Sequence, residues 1–324
     1  MHKSPMVIIL LALFSFTGLA NAGSDHDHDE HQHYHEGLVK AVEGRKPRVV
    51  ATTSTFASLV KEIGKENVEV KSISLPKFNT HYFTPKFSDV RSVQKADLFV
   101  QAGLDHEIWT QAILEASGKT DLFPGSSQNV ALSQGLHLLD VPESQLSRAE
   151  GDVHIFGNPH IWMNPKNARI MAQTLTKKLK ELDPAHAVEY EANAADFISR
   201  LDKKIEEWKV KAAHVRGKEV ISYHKDIAYF ADFLGFKALK FYEPKPGIPP
   251  APKELMALER YIKENGIKAI IQPVYYSRES TDALAKRAGT KVYIICQNAG
   301  EVPGTEDYIS LFNYNVNTIS EALK

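Results

Sequence analysis

The stretch that opens at Pro184 constrains this chain more than any other. Ile198, Leu201, Ile205, Trp208 and Ala212 recur at spacings of 3, 4, 3 and 4, which makes one continuous apolar stripe on an α-helix. Proline suits a first helical turn, and the pattern predicts a helix running from Pro184 to about His214. At 1.5 Å per residue such a rod is about 45 Å long, more than one small domain needs. It reads as a beam between two lobes.

On both sides of the beam, short β-branched runs alternate with helical periodicity. Before it, strands are expected at Arg48–Thr52, Val68–Leu75 and Asp97–Ala102, with helices from Ser54 to Gly64, Pro85 to Lys95, Asp105 to Ser117 and Pro165 to Leu182. After it come strands at Lys218–Tyr223, Phe236–Tyr242, Lys268–Ile271 and Lys291–Ile295, separated by helices and closed by one from about Glu306. Such alternation marks β-α units around mainly parallel sheets. The expected fold is α/β: an N-terminal lobe over 47–183, a linking helix over 184–214 and a C-terminal lobe over 215–324.

The first 22 residues read as a cleaved signal peptide: Lys3, the apolar run Val7 to Phe14, and Ala20-Asn21-Ala22 as the small-residue cleavage pattern. The run is too short and too interrupted by Ser15, Thr17 and Asn21 for a membrane anchor. Cys296 is the single cysteine, so no intramolecular disulfide forms and no lipid-bearing cysteine stands at the cleavage junction. A periplasmic, monomeric protein is the expectation. With 39 Lys+Arg against 40 Asp+Glu, charge gives no case for binding nucleic acid or anionic membrane. No Gly-x-x-x-x-Gly-Lys-Ser/Thr loop is present, so no P-loop nucleotide chemistry is expected of this chain.

Histidine supplies the chemistry. His26, His28, His31, His33 and His35 alternate with acids in a polar tract over 23–46 that buries too little apolar area to fold. It reads as a disordered tail capturing metal weakly at several sites. His81 and His224 follow strands, beyond carboxyl ends, where open α/β sheets bind ligands. His160 lies in Gly157-Asn158-Pro159-His160-Ile161-Trp162, just before a helix. A lone histidine at such a place is commonly a packing residue, and spacing does not raise these three above that reading.

Their surroundings do. The stretch from Thr80 to Val90, with Ala96-Asp97-Leu98, Gly103-Leu104 and Glu107-Ile108-Trp109, resembles the first-lobe signature of metal-binding receptors of ABC importers, the TroA-like, cluster A-I solute-binding proteins. Asn158 to Pro165 resembles their second ligand motif, and Ser222-Tyr223-His224-Lys225-Asp226 their third. Asp307-Tyr308 and Asn313-Tyr314-Asn315-Val316 are similar to the family's C-terminal end. The resemblance implies one ion held between the lobes by His81 and His160 from the first and His224 from the second. It also implies a permease and its ATPase as partners, and a rigid linking helix that restricts motion. Three neutral imidazoles favour Zn2+ over Mn2+, which suits carboxylate-rich sites. Imidazole ligation predicts release of metal as pH falls toward 5.

The chain departs from the family where many members carry an aspartate before the last helix: Cys296-Gln297-Asn298 stands there. A fourth donor or supporting residue is therefore open among Glu243, Gln297, Glu301, His154, Asp152 and a water. Cys296 reads as buried packing, and His106, His137, His186 and His214 as ordinary histidines. Asp105-His106-Glu107 reads as a helix start. Two further readings remain beside the zinc receptor: a secreted zinc hydrolase using a metal-bound water, and a manganese receptor or metal-dependent adhesin of the same fold. The chain has no His-Glu-x-x-His helix, which counts against the hydrolase.

Overall fold

The computed structural model describes residues 39–142, 154–243 and 247–324. The proposed signal segment, the five tail histidines and Asp152 lie outside the described residues.

β1 (Arg48–Ala51), α1 (Ser54–Gly64), β2 (Glu69–Ser72), α2 (Phe87–Gln94), β3 (Leu98–Gln101), α3 (Thr110–Ser117) and β4 (Asn129–Ala131) build the first lobe, to which α4 (Pro165–Leu182) is added. α5 (Ala187–Lys211) leads to β5 (Glu219–Ser222), α6 (Ala228–Leu234), β6 (Lys237–Phe241), α7 (Pro252–Asn265), β7 (Ala269–Gln272), α8 (Glu279–Ala288), β8 (Lys291–Ile294) and α9 (Tyr308–Ala322). The order is β2-β1-β3-β4 in one sheet and β6-β5-β7-β8 in the other, and every pairing is parallel. The two lobes thus repeat one topology without a sequence repeat. In each, strand order reverses between two central strands, β1 and β3 or β5 and β7. The crevice beyond their carboxyl ends is where such sheets accept ligands.

Local chemistry sets the boundaries. β3 and β7 are buried at every position, as parallel strands covered on both faces must be, whereas the edge strand β2 alternates. Thr53 caps α1: its hydroxyl accepts from the Phe56 N–H. α3 starts at Thr110 rather than Asp105, because Gly103, Leu104 and Asp105 all take positive φ and break any helix there. β4, three residues long, has no counterpart among the expected strands; so short a run gives no periodic signal.

The linking helix is shorter than its sequence pattern. Pro184 opens a single 3-10 turn to His186, and another spans Ala213–Val215, so α5 covers 25 residues or about 38 Å. Its buried face is Tyr190, Ala194, Phe197, Leu201, Ile205 and Trp208. Phe197 takes the central place and Ile198 the margin. α5 packs on α1 and α4 and also on α9. One continuous cluster of buried side chains therefore runs from Val49 and Phe56 through Phe197 and Trp208 to Phe230, Ile271 and Phe312. The lobes share a core.

Candidate metal centre

The isolated histidines of the first lobe are positioned by the same device. Asn79 Oδ1 accepts the His81 N–H at 3.0 Å and Asn158 Oδ1 accepts the His160 N–H at 3.1 Å, so an asparagine two residues upstream bends each main chain. His81 sits in a 3-10 turn, Thr80–Tyr82, whose Thr80 oxygen accepts the Trp109 indole N–H at 2.8 Å. His160 immediately precedes the turn Ile161–Met163. His224 follows β5 in the second lobe. All three are at most 6% exposed.

The rings converge. His81 Nε2 and His160 Nε2 are 3.1 Å apart, and the His224 ring centroid is 5.6 Å from each of theirs. His160 Nδ1 lies 2.9 Å from Asn158 Oδ1. The amide nitrogen of Asn158 donates to Asp140 Oδ2 and to the Lys225 oxygen. Its oxygen is therefore the acceptor, His160 carries its proton on Nδ1, and the Nε2 lone pair faces His81. Two nitrogens on one zinc at about 2.05 Å stand about 3.3 Å apart in a tetrahedron, close to the separation here. The donor chemistry fits a transition-metal ion.

Burial keeps His81, His106 and His160 neutral. Burial, then repulsion from His224, lowers the His81 pKa to about 3. Burial likewise drives His160 and His106 well below the ordinary imidazole range. Neutral imidazole is the ligating form. Burial raises Asp226, beside His224, to about 6.

His106 corrects the sequence reading. It is not an ordinary histidine at a helix start: it is 2% exposed, its ring centroid lies 4.5 Å from that of His81 and 5.3 Å from that of His160, and the indole of Trp162 packs 4.9 Å away. One nitrogen from each of His81, His106 and His160 falls within 4.8 Å of the other two. Neither ring nitrogen of His106 or of His224 has a hydrogen-bond partner among the described residues. A buried polar atom left so costs about 1–3 kcal/mol. The loop that delivers His106 is strained, with φ of 80° at Gly103, 58° at Leu104 and 57° at Asp105. Each non-glycine residue there costs on the order of 1 kcal/mol. Glu107, buried and raised to about 7 by that burial, anchors the loop: its Oε1 accepts from Thr52 Oγ1 at 2.6 Å and from the Ala102 N–H at 3.0 Å. The signal that finds His106 is its place after β3, at the switch point, where the strand-end rule applied to His81 and His224 holds equally.

The remaining candidates divide. Glu243 Oε2 stands 3.5 Å from His224 Nδ1, beside one ring only. His154, half-buried, has its ring centroid 5.1 Å from that of His81 and 6.1 Å from that of His160. Glu301 is engaged by its own loop, accepting the N–H groups of Gln297 and Asn298 at 3.0 and 2.9 Å. Burial raises its carboxyl to about 8. The Gln297 oxygen accepts the Trp162 indole N–H at 2.7 Å, and both polar atoms of its side chain are buried without a partner among the described residues. Cys296 is buried, and burial pushes its thiol up. His186 pairs with Asp183, and His214 Nε2 reaches the Ser320 oxygen.

Residues 49–322 match the family model described as ZnuA, zinc-uptake complex component A, periplasmic. The high-affinity zinc uptake system protein ZnuA of Bacillus subtilis is 25% identical over 288 residues, 87% of this chain and 89% of that protein. The zinc-binding protein AdcA of Streptococcus pyogenes is 25% identical over 286 residues, 85% of this chain, which spans 55% of AdcA. The manganese-bound periplasmic metal-binding protein of Candidatus Liberibacter asiaticus superposes with a TM-score of 0.69 at 22% identity. That match covers 86% of this chain and 100% of the other, and shows a shared fold. With three ligand-type motifs folded to one cleft and a family match over nearly all the described residues, the chain belongs to the ZnuA family of periplasmic zinc-uptake components.

Proposed function

We propose that this chain is a periplasmic receptor that takes one Zn2+ between its lobes on His81, His160 and His224 and delivers it to an ABC permease driven by a separate ATPase. The observation that carries the reading is the 3.1 Å approach of His81 Nε2 to His160 Nε2, with the His160 proton held away by Asn158. His160 Nε2 offers its lone pair to His81 across this gap, and a cation bound there takes the place of the proton that the two nitrogens otherwise share.

The donor set supports zinc. Imidazoles suit zinc, copper, nickel and iron, whereas manganese favours carboxylate oxygen, and the nitrogen trio of His81, His106 and His160 contains no carboxylate. Glu243, close to His224 Nδ1, orients that ring and partly balances the charge of the ion, as carboxylates do behind zinc-bound histidines. Binding proceeds without turnover. The chain is secreted by a cleaved signal peptide and acts as a monomer, with the histidines of the 23–46 tail as weak auxiliary sites.

Titration of the full mature chain with zinc against a chelator of known affinity tests this. One tight site, lost in His160→Ala and retained when residues 23–36 are deleted, is expected. Tight binding that survives His160→Ala, or that vanishes with the tail, overturns it.

A further inference from the structure

Resting on the zinc-receptor reading, we propose that His106 is a fourth imidazole donor to the ion and sets the site's preference for zinc over manganese, in place of a carboxylate. Its position after β3 puts it at the reversal point of the first sheet. Its ring is buried, it meets the rings of His81 and His160, and both its nitrogens lack hydrogen-bond partners among the described residues.

Geometry supports a shared ion. A ring centroid lies about 3.2 Å from a zinc held by one of its nitrogens, so tetrahedral imidazoles place their centroids about 5.2 Å apart. The separations are 4.5 Å for His81 and His106, 5.2 Å for His81 and His160, and 5.3 Å for His106 and His160. Those from His224 to His81 and to His160 are 5.6 Å, so His224 meets the site from the side of these two rings, while the three nitrogens within 4.8 Å of one another are those of His81, His106 and His160. In the C-terminal half Glu301 is held by its own loop, Glu243 stands on the Nδ1 side of His224 and Asp226 lies beside His224, and none of the three joins the nitrogen trio of His81, His106 and His160.

The loop is built for this task. Two consecutive non-glycine residues in the left-handed region, Leu104 and Asp105, turn the chain inward immediately before His106. Glu107 and Trp109 then lock it to Thr52 and Thr80. Strain maintained in this way is found at functional sites. A donor set of four neutral nitrogens offers nothing to an oxygen-seeking ion, and that is the source of the selectivity.

X-ray absorption at the zinc edge of the loaded full-length protein counts imidazoles directly. Four in the parent, three in His106→Ala and in His106→Gln, and four in His154→Ala are expected. Zinc affinity should fall about 100-fold or more in both His106 variants, since even residues behind the ligands are worth 10–100-fold. His106→Asp should shift the Zn2+/Mn2+ competition ratio toward manganese. Three imidazoles in the parent, or a donor lost in His154→Ala but not in the His106 variants, overturns the proposal while the receptor reading stands. Tight binding unaffected by His160→Ala overturns both. The parent spectrum decides even where a variant fails to fold.

Discussion

The side-chain amide of Asn158 donates to the main-chain oxygen of Lys225 at 2.9 Å, and so ties the residue that orients His160 to the residue that follows His224. Lys225 also pairs with Asp140, and the Tyr229 hydroxyl donates to the Asn158 oxygen at 3.0 Å. One asparagine thus fixes the His160 tautomer and ties the segment before α4 to the loop that follows β5. Asn158→Ala should weaken zinc binding about 10–100-fold, the cost of losing a residue behind a ligand. Asn158→Asp keeps the oxygen that faces His160 Nδ1 and loses the donor to Lys225. Its affinity should fall less while its zinc dissociation rate rises, as read by stopped-flow transfer to a fluorescent chelator. Equal loss of affinity in both variants would show that the tie, not the tautomer, dominates.

His81→Ala, His160→Ala and His224→Ala should each lower zinc affinity by orders of magnitude, whereas deletion of Gly23 to Glu36 should lower only the number of weakly bound ions. Isothermal titration separates the two classes by affinity and stoichiometry. A variant of any of the three histidines that keeps parental affinity removes that residue from the site.

Burial changes the pH behaviour expected of exposed imidazoles. Unfolded histidines take up protons below about 6.5, but His81 in the fold resists until about 3. Across that window the unfolded chain binds more protons, so the metal-free protein should lose stability as pH falls from about 6.5 toward 3. Protons compete poorly for His81 itself, so metal held through this ring should withstand acid further than metal on exposed imidazoles. For the same reason zinc uptake at pH 7 should liberate few protons. Thermal unfolding with and without zinc from pH 7.5 to 4, and calorimetry in buffers of different ionisation enthalpy, measure both effects. An affinity that falls steeply between pH 7 and 5 contradicts the buried-imidazole account.

Phe197 is fully buried in the middle of α5. Phe197→Ala should cost about 3–5 kcal/mol and lower a single unfolding transition for both lobes, because the core is common to them. Separate transitions in denaturant titration would refute the shared core.

The sheet alternation, the linking helix and the meeting of His81, His160 and His224 were legible because each leaves a local mark: β-branched runs, a stripe at helical period, a histidine inside a distinctive motif. His106 left none. Its neighbours Asp105 and Glu107 mimic the acidic first turn of a helix, and only the left-handed backbone at Leu104 and Asp105 shows that the chain instead turns inward. Helix propensity does not report such a reversal, which is stabilised by tertiary anchors such as Thr52 to Glu107. The role of Glu301 as a loop brace was hidden for a similar reason: its partners are main-chain N–H groups, which a sequence does not display as pairs.

The seam of α5, shared among α1, α4 and α9, also governs how the gene product can be divided. Severed between α4 and α5, each fragment would present an unpaired greasy strip, and the two strips are complementary in shape and order. Neither half would be a receptor by itself, but co-expressed halves should find one another and regain the cleft, which makes this chain a natural substrate for fragment-complementation sensors of the ion it carries.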